Sequence, residues 1–227
     1  ARLLAKALNC LQRDGVEPCN ECSNCLDIAS GSSMDVLEMD AASEAGVDEV
    51  REKIVAASEY MPSVSRYRIF IIDEVHDLSA KAFDALLKTI EEPPAHVIFI
   101  LATTEYHKVP ATIRSRCQKF EFHRAKVSQL ADRIRYVASA EGVEIEPLAV
   151  LTIARIADGG YRDALSLLEQ VLLTSDGTLT QAHVIEQLGL IQDETIDELL
   201  LGMTEHNPEQ VLRALDAVVQ LGRDPRT

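Results

Sequence analysis

Two groups of residues in this 227-residue sequence have the types and spacing for chemistry. The first is Cys10, Cys19, Cys22 and Cys25, a C-x8-C-x2-C-x2-C cluster. A C-x2-C pair lets two thiolates meet one tetrahedral ion from a tight turn. Four thiolates close a structural zinc site and leave no position for water. Asp14, Gly15, Pro18 and Asn20 supply turn formers between the ligands, although the sharing of Cys22 between two pairs is unusual. Disulfides and buried free thiols are the alternatives. Disulfides do not suit a reducing compartment, and four cysteines in sixteen positions is dense for chance packing. Zinc is therefore the stronger reading. Cys117 stands apart and reads as a small buried hydrophobe rather than a nucleophile.

The second group lies in Ile69-Phe70-Ile71-Ile72-Asp73-Glu74, a buried-type strand that ends in two carboxylates. Ligands gather at the carboxyl ends of parallel strands. One acid there can hold Mg2+, usually through water, and a second can polarise an attacking water. The plain alternative is a strand exit with acids as caps, and the Asp-Glu pair alone is a modest signal. Thr103-Thr104 strengthens it, because these hydroxyls follow the next apolar run and belong at the same edge. His76 reads as a local hydrogen-bonding residue rather than a metal ligand.

Positioning these groups requires an alternation of strands and helices. Val36–Met39, Arg68–Ile72, Val97–Leu101 and Lys119–Phe122 read as strands. Val47, Val50, Ile54 and Ala57 repeat at helical spacing, as do Phe83, Leu86, Leu87 and Ile90. Ser79 suits an N-cap, and Pro93-Pro94 end the second of these helices. The opening stretch Arg2–Leu8 reads as a helix, since it runs into the cysteine loop without a cleavage site. Such alternation predicts a parallel sheet covered on both faces. After Phe122 only helices are expected, at Ser128–Ala140, Pro147–Ala157, Arg162–Thr174, Gln181–Leu188, Asp193–Met203 and Pro208–Leu221. Gly142, Gly159-Gly160 and Gly189 punctuate them, and 222–227 reads as an interrupted end.

Composition sets outer bounds. The chain is 47% apolar and 26% charged, with no tryptophan, which is ordinary for a globular protein. No apolar run is long enough to span a bilayer, and no export signal is visible, so the cytoplasm is expected. A net charge of −15 opposes broad binding to nucleic acid. Arg114, Arg116, Lys119, Arg124, Lys126, Arg133 and Arg135 form a local basic window. It reads as a mixture of solvated and interface charges with one arginine doing chemistry.

Taken in order, these motifs resemble the AAA+ ATPases and, more narrowly, the gamma/tau subunits of bacterial DNA polymerase III clamp loaders. The resemblance rests on Ala1–Cys10, the cysteine cluster, Ile72-Asp73-Glu74-Val75-His76, Leu86–Pro94, Leu101-Ala102-Thr103-Thr104, Ser115-Arg116-Cys117 and Gly160–Ser166. It implies an α/β, P-loop AAA+ domain over 1–125 with a zinc module at 10–25. A helical lid over 126–189 and the start of a helical collar over 190–227 would follow. Asp73 would organise Mg2+, and Glu74 would activate the hydrolytic water. Thr104 would sense the γ-phosphate of ATP, and Arg162 would contact ATP from the lid. Arg116 would be an arginine finger for the neighbouring subunit's ATP.

The resemblance further implies an ATP hydrolase that loads a sliding clamp onto primer-template DNA. It would act in a hetero-pentamer with delta, delta-prime and further gamma/tau copies, inside the DNA polymerase III holoenzyme, a nucleotidyltransferase complex. A non-catalytic scaffold similar to delta-prime is the alternative, and a zinc-ribbon nucleic-acid module explains only Cys10–Cys25. The sequence departs from the family in one respect: it has no G-x-x-x-x-G-K-[ST] phosphate loop. In the family that loop immediately precedes the segment matching Ala1, so the 227 residues are expected to be a fragment. The strand feeding the loop would lie between those matching Val97–Leu101 and Lys119–Phe122. Expressed alone, the stretch is expected to fold poorly and to bind no ATP. A cooperative melt with micromolar affinity in equilibrium binding would contradict that.

Overall fold

The computed structural model describes residues 1–43, 46–174, 177–190 and 193–220. The chain divides into two compact units, 1–120 and 121–227. In the first, α1 (Arg2–Asn9) leads into the cysteine loop and α2 (Ser23–Ser30) leaves it. There follow β1 (Val36–Asp40), α3 (Val47–Val50) running into a π-helical turn over Arg51–Ala56, and β2 (Arg68–Asp73). A 3-10 turn at Val75–Asp77, α4 (Ala80–Glu91), β3 (Val97–Leu101), a second 3-10 turn at Tyr106–Lys108 and α5 (Ala111–Arg114) complete the unit.

The three strands pair in parallel in the order β1-β2-β3, with Asp40 beside Asp73 and Ile72 beside Leu101. Successive side chains of a strand point to opposite faces, and both faces of β2 are covered. Ile69 and Ile71 pack with Ala5, Ile28 and Val36. Phe70 and Ile72 pack with Val50, Ile54, Phe83 and Leu86 on the other side. Each such side chain, once fully buried, contributes about 1.5–3 kcal/mol. Helix α4 starts where expected: Ser79 Oγ accepts the Ala82 N–H at 3.2 Å. It stops at Glu91, just ahead of Pro93-Pro94.

One expected strand is absent. Among the described residues no strand forms at 119–122, where Phe120 and Phe122 are 69% and 94% exposed. Their aromatic character suggested β-structure, but strand propensity measures fit to a half-buried surface beside a neighbour. Cys117, expected to be buried, is exposed as well. It follows α5 in an irregular turn, outside the apolar clusters of the unit.

The second unit is helical. Helices α6 (Val127–Ala140), α7 (Pro147–Ile156), α8 (Tyr161–Leu172) and α9 (Gln181–Gln187) enclose Leu130, Ile134, Val150, Ile153, Leu168, Val171 and Val184. Pro147 occupies the first turn of α7, where its missing N–H costs nothing. Gly159 has φ +84°, and a Cβ there would sit 2.5 Å from Arg124 Cβ, so glycine is required. Helices α10 (Asp193–Thr204) and α11 (Pro208–Gln220) pack against each other. The expected interrupted end at 222–227 lies outside the described residues.

The loop before β2 is fixed by a buried acid. Asp35, 2% exposed, accepts the N–H groups of Ser63, Val64 and Ser65 at 2.7, 2.9 and 2.8 Å. Arg68 Nη2 lies 3.5 Å from the same carboxylate. Burial pushes the Asp35 carboxyl up, but the backbone donors outweigh it and hold the group below its ordinary value. A folded pKa below the unfolded one stabilises above the unfolded value, near 4, and that stability is lost as pH falls through the folded pKa. Asp35→Asn would turn an amide N–H toward backbone N–H groups. It is expected to cost about 2 kcal/mol at neutral pH in denaturant melts, with the difference from wild type shrinking in acid.

Candidate functional site

The carboxyl end of the sheet gathers the acids and hydroxyls. Asp73 closes β2 and is exposed. Its carbonyl accepts the Ala41 N–H at 3.0 Å, and its Oδ1 accepts the Glu74 N–H at 3.0 Å. Glu74 has φ 45° and ψ 44°, left-handed backbone that is uncommon outside glycine. That conformation costs on the order of 1 kcal/mol and persists only when the surroundings over-determine it. Here the chain is pinned on both sides of Glu74. The Val75 N–H bonds the Ala102 carbonyl at 2.9 Å, and the Ala102 N–H bonds the Ile72 carbonyl at 2.9 Å.

The turn brings the Glu74 carboxylate to the exit of β3. Thr104 Oγ1 donates to Glu74 Oε2 at 3.3 Å. Thr103 takes a different role: its Oγ1 lies 2.9 Å from His76 Nδ1 and accepts the Glu105 N–H at 3.0 Å. Glu105 also pairs with Lys108, whose hydrogen bond holds the Glu105 carboxyl below its ordinary value. Asp73, Glu74 and Thr104 thus share one edge, where a carboxylate pair and a hydroxyl can meet a metal-bound anion and an attacking water.

The two candidate arginines lie in different units. Arg116 Nη2 lies 2.9 Å from Glu91 Oε1, and its Nη1 donates to the Thr112 carbonyl at 2.8 Å. Glu91 ends α4, a 12-residue helix that starts beside the β2 exit. Arg116 is therefore held at the C-terminal end of α4. Arg162 belongs to the second unit, exposed in the first turn of α8. The rest of the basic window scatters. Arg114 and Lys119 lie over the Tyr106 ring and Arg133 over Tyr136, while Arg124 pairs with Asp158 and Arg135 with Asp132.

The four cysteines converge. Their Sγ atoms all lie within 4.8 Å of one another, and Cys19 and Cys25 are 4.0 Å apart. Tetrahedral zinc at 2.3 Å from each sulfur places sulfurs about 3.8 Å apart, so the donor set fits that ion. The turn supplies backbone donors to sulfur: Cys19 N–H to Cys10 at 3.3 Å and Cys22 N–H to Cys19 at 3.3 Å. The bond from Cys19 holds the Cys10 thiol below its ordinary value. Burial pushes Cys22 up, but N–H donors from Leu11 and Cys25 outweigh it and bring it to about 6. Cys25 is pushed up to about 12 by burial.

Two asparagines that carried no signal in the sequence anchor this loop. Asn9 is 2% exposed; it donates to the Tyr67 carbonyl at 2.9 Å and accepts the Tyr67 N–H at 3.0 Å. Asn24 donates to the Asn9 carbonyl at 2.9 Å and to Ser65 Oγ at 3.2 Å. The cysteine loop is thereby tied to the backbone entering β2. Asn9→Ala leaves that backbone without its partners and is expected to lower stability by about 2–3 kcal/mol, read in denaturant melts.

Known proteins resemble this chain over nearly its whole length. Residues 1–126 match the family model for the DNA polymerase III delta subunit. Residues 129–177 match that for the ATPase lid domain of the DNA polymerase III clamp loader subunit. The tau subunit of Bacillus subtilis (strain 168) DNA polymerase III is 45% identical over 99% of this chain, and that of Escherichia coli (strain K12) is 40% identical over 98%. The chain spans 40% and 34% of the length of those two relatives. The fold is also that of the Thermotoga maritima RuvB Holliday junction branch migration motor, with TM-score 0.59 at 22% identity over 79% of this chain and 63% of that one. The first of the two family models covers more than half of the chain, which therefore belongs to that DNA polymerase III subunit family, with tau subunits among its relatives.

Proposed function

We propose that the protein of which these residues form part is the ATP-hydrolysing motor of a bacterial clamp loader. ATP binding would help open a ring-shaped sliding clamp, and hydrolysis would release it on primer-template DNA. The observation that carries this reading is the convergence of Asp73, Glu74 and Thr104 at one sheet edge, with Glu74 held in left-handed backbone. Asp73 would hold Mg2+, which when bound polarises the phosphate oxygens. Glu74 would orient the attacking water and take its proton, and the Thr104 hydroxyl would read the γ-phosphate. Arg162 would contact ATP from a lid over 126–189, beyond a nucleotide-binding domain over 1–125. Residues 190–227 would begin a collar.

Arg116 would be lent to the neighbouring subunit's ATP. Its pairing with Glu91 is a half-exposed surface ion pair, with side chains 41% and 39% exposed. Pairs of that kind contribute about 0–1 kcal/mol, so exchanging Glu91 for a phosphate loses little. Partners would be delta, delta-prime and further gamma/tau copies, in the cytoplasm. No helix among the described residues is long and apolar enough to cross a membrane. A scaffold role similar to delta-prime is the second reading, and the intact Asp73-Glu74 pair favours the active one.

Cys10, Cys19, Cys22 and Cys25 would hold a structural zinc ion, which the convergence of four thiols supports. Metal analysis of the purified full-length protein is expected to give about one zinc per chain, reduced by Cys25→Ser. A fully folded, metal-free sample would refute the site. For the ATPase, Glu74→Gln in the full-length protein should cut DNA-stimulated steady-state hydrolysis by at least about 100-fold and leave nucleotide binding intact. An unchanged rate would remove Glu74 from the chemistry.

A further inference from the structure

His76 is absorbed by none of the roles above, yet its side chain is 9% exposed and surrounded by polar groups. Its Nδ1 lies 2.9 Å from Thr103 Oγ1 and 3.3 Å from Glu74 Oε2. On the other side of the ring, Nε2 lies 3.2 Å from Glu105 Oε2 and 3.6 Å from Asp77 Oδ1. A planar ring therefore bridges the exit of β2, through Glu74, and the exit of β3, through Thr103 and Glu105. The bridge is stiff at both ends. The 3-10 turn carrying His76 is pinned by the Val75–Ala102 backbone bond, and Thr103 Oγ1 is fixed by the Glu105 N–H.

The consequence falls on one oxygen of Glu74. Both Thr104 Oγ1 and His76 Nδ1 approach Oε2 at 3.3 Å, while among the described residues Oε1 takes no partner. Thr104 donates a hydrogen bond to that oxygen, and the ring nitrogen, itself hydrogen-bonded to Thr103, stands against it, which limits rotation of the carboxylate. We propose that His76 is a positioning residue for Glu74, holding its Oε2 against the β3 exit so that Oε1 is presented to the attacking water. This deepens the ATPase reading and rests on it. Glu74 cannot keep its orientation through its own backbone alone, because its side chain retains three rotatable bonds. The ring also ties that orientation to the segment carrying Thr104, so a shift of Thr103-Thr104 on nucleotide binding moves Glu74 with it.

The test uses the full-length protein in its assembled complex, with ATP affinity and single-turnover hydrolysis measured separately. His76→Ala should lower the hydrolysis rate between about 10- and 100-fold, the range for a misplaced reacting group, with ATP affinity held within about twofold. His76→Asn places an amide where Nδ1 stood and should recover most of the rate. His76→Gln reaches toward Nε2 instead and should not. Thr103→Val, which removes the hydroxyl at nearly constant volume, should fall in the same direction, and it carries the test if His76→Ala does not fold. A His76→Ala rate equal to wild type, in a preparation where Glu74→Gln is inactive, overturns the inference and leaves the ATPase reading standing. Equal rescue by Asn and Gln, or a loss of ATP affinity matching the loss of rate, makes His76 a structural residue and also overturns it. Full activity of Glu74→Gln would instead overturn the underlying reading.

Discussion

The first unit is organised by a strand that must be buried on both faces. Ile69, Phe70, Ile71 and Ile72 leave no polar side for water, so β2 needs an apolar layer above and below it and a backbone neighbour on each edge. The parallel register with β1 and β3 follows from matching Val36–Met39 and Ile98–Leu101 to those faces, since a one-residue slip would turn every side chain to the wrong layer. That register sets Asp73 beside Asp40. It also puts Ala102 within reach of Val75, which fixes the turn at Glu74. The chemistry at the sheet edge depends on packing that takes no part in it.

The two ends of the strand are secured by different means. At the amino end, Asp35, Asn9 and Asn24 satisfy backbone groups that a buried loop would leave orphaned, and they bind the cysteine loop to the sheet. At the carboxyl end, backbone bonds on both sides of Glu74 keep it in an unfavourable conformation, and side chains from the neighbouring strand exit meet it there. One end is held because Asp35, Asn9 and Asn24 engage its backbone groups. The other holds strained backbone, with Asp73 exposed and Glu74 half-buried.

At the β2 exit Asp73 is exposed and Glu74 half-buried, while Arg116 pairs with Glu91 at the end of α4. There the cation is already engaged by a carboxylate of its own unit.

Much of this was legible in the sequence because it is local. Short runs of strand-forming residues marked β1, β2 and β3, Ser79 and Pro93-Pro94 bounded α4, and cysteine spacing gathered four thiols. The helices after residue 126 followed from periodicity to within a residue or two. What the sequence could not decide depends on neighbours distant along the chain. Lys119–Phe122 has strand composition and forms no strand, because a strand is a property of a pair. Asn9, Asn24 and Asp35 look like ordinary polar residues until folding buries them against backbone from residues 63–67. His76 reads as a local hydrogen-bonding residue, and so it is; its span between two strand exits came only from the parallel register. Residue types and spacing determined which groups could do chemistry, and tertiary packing decided which of them meet.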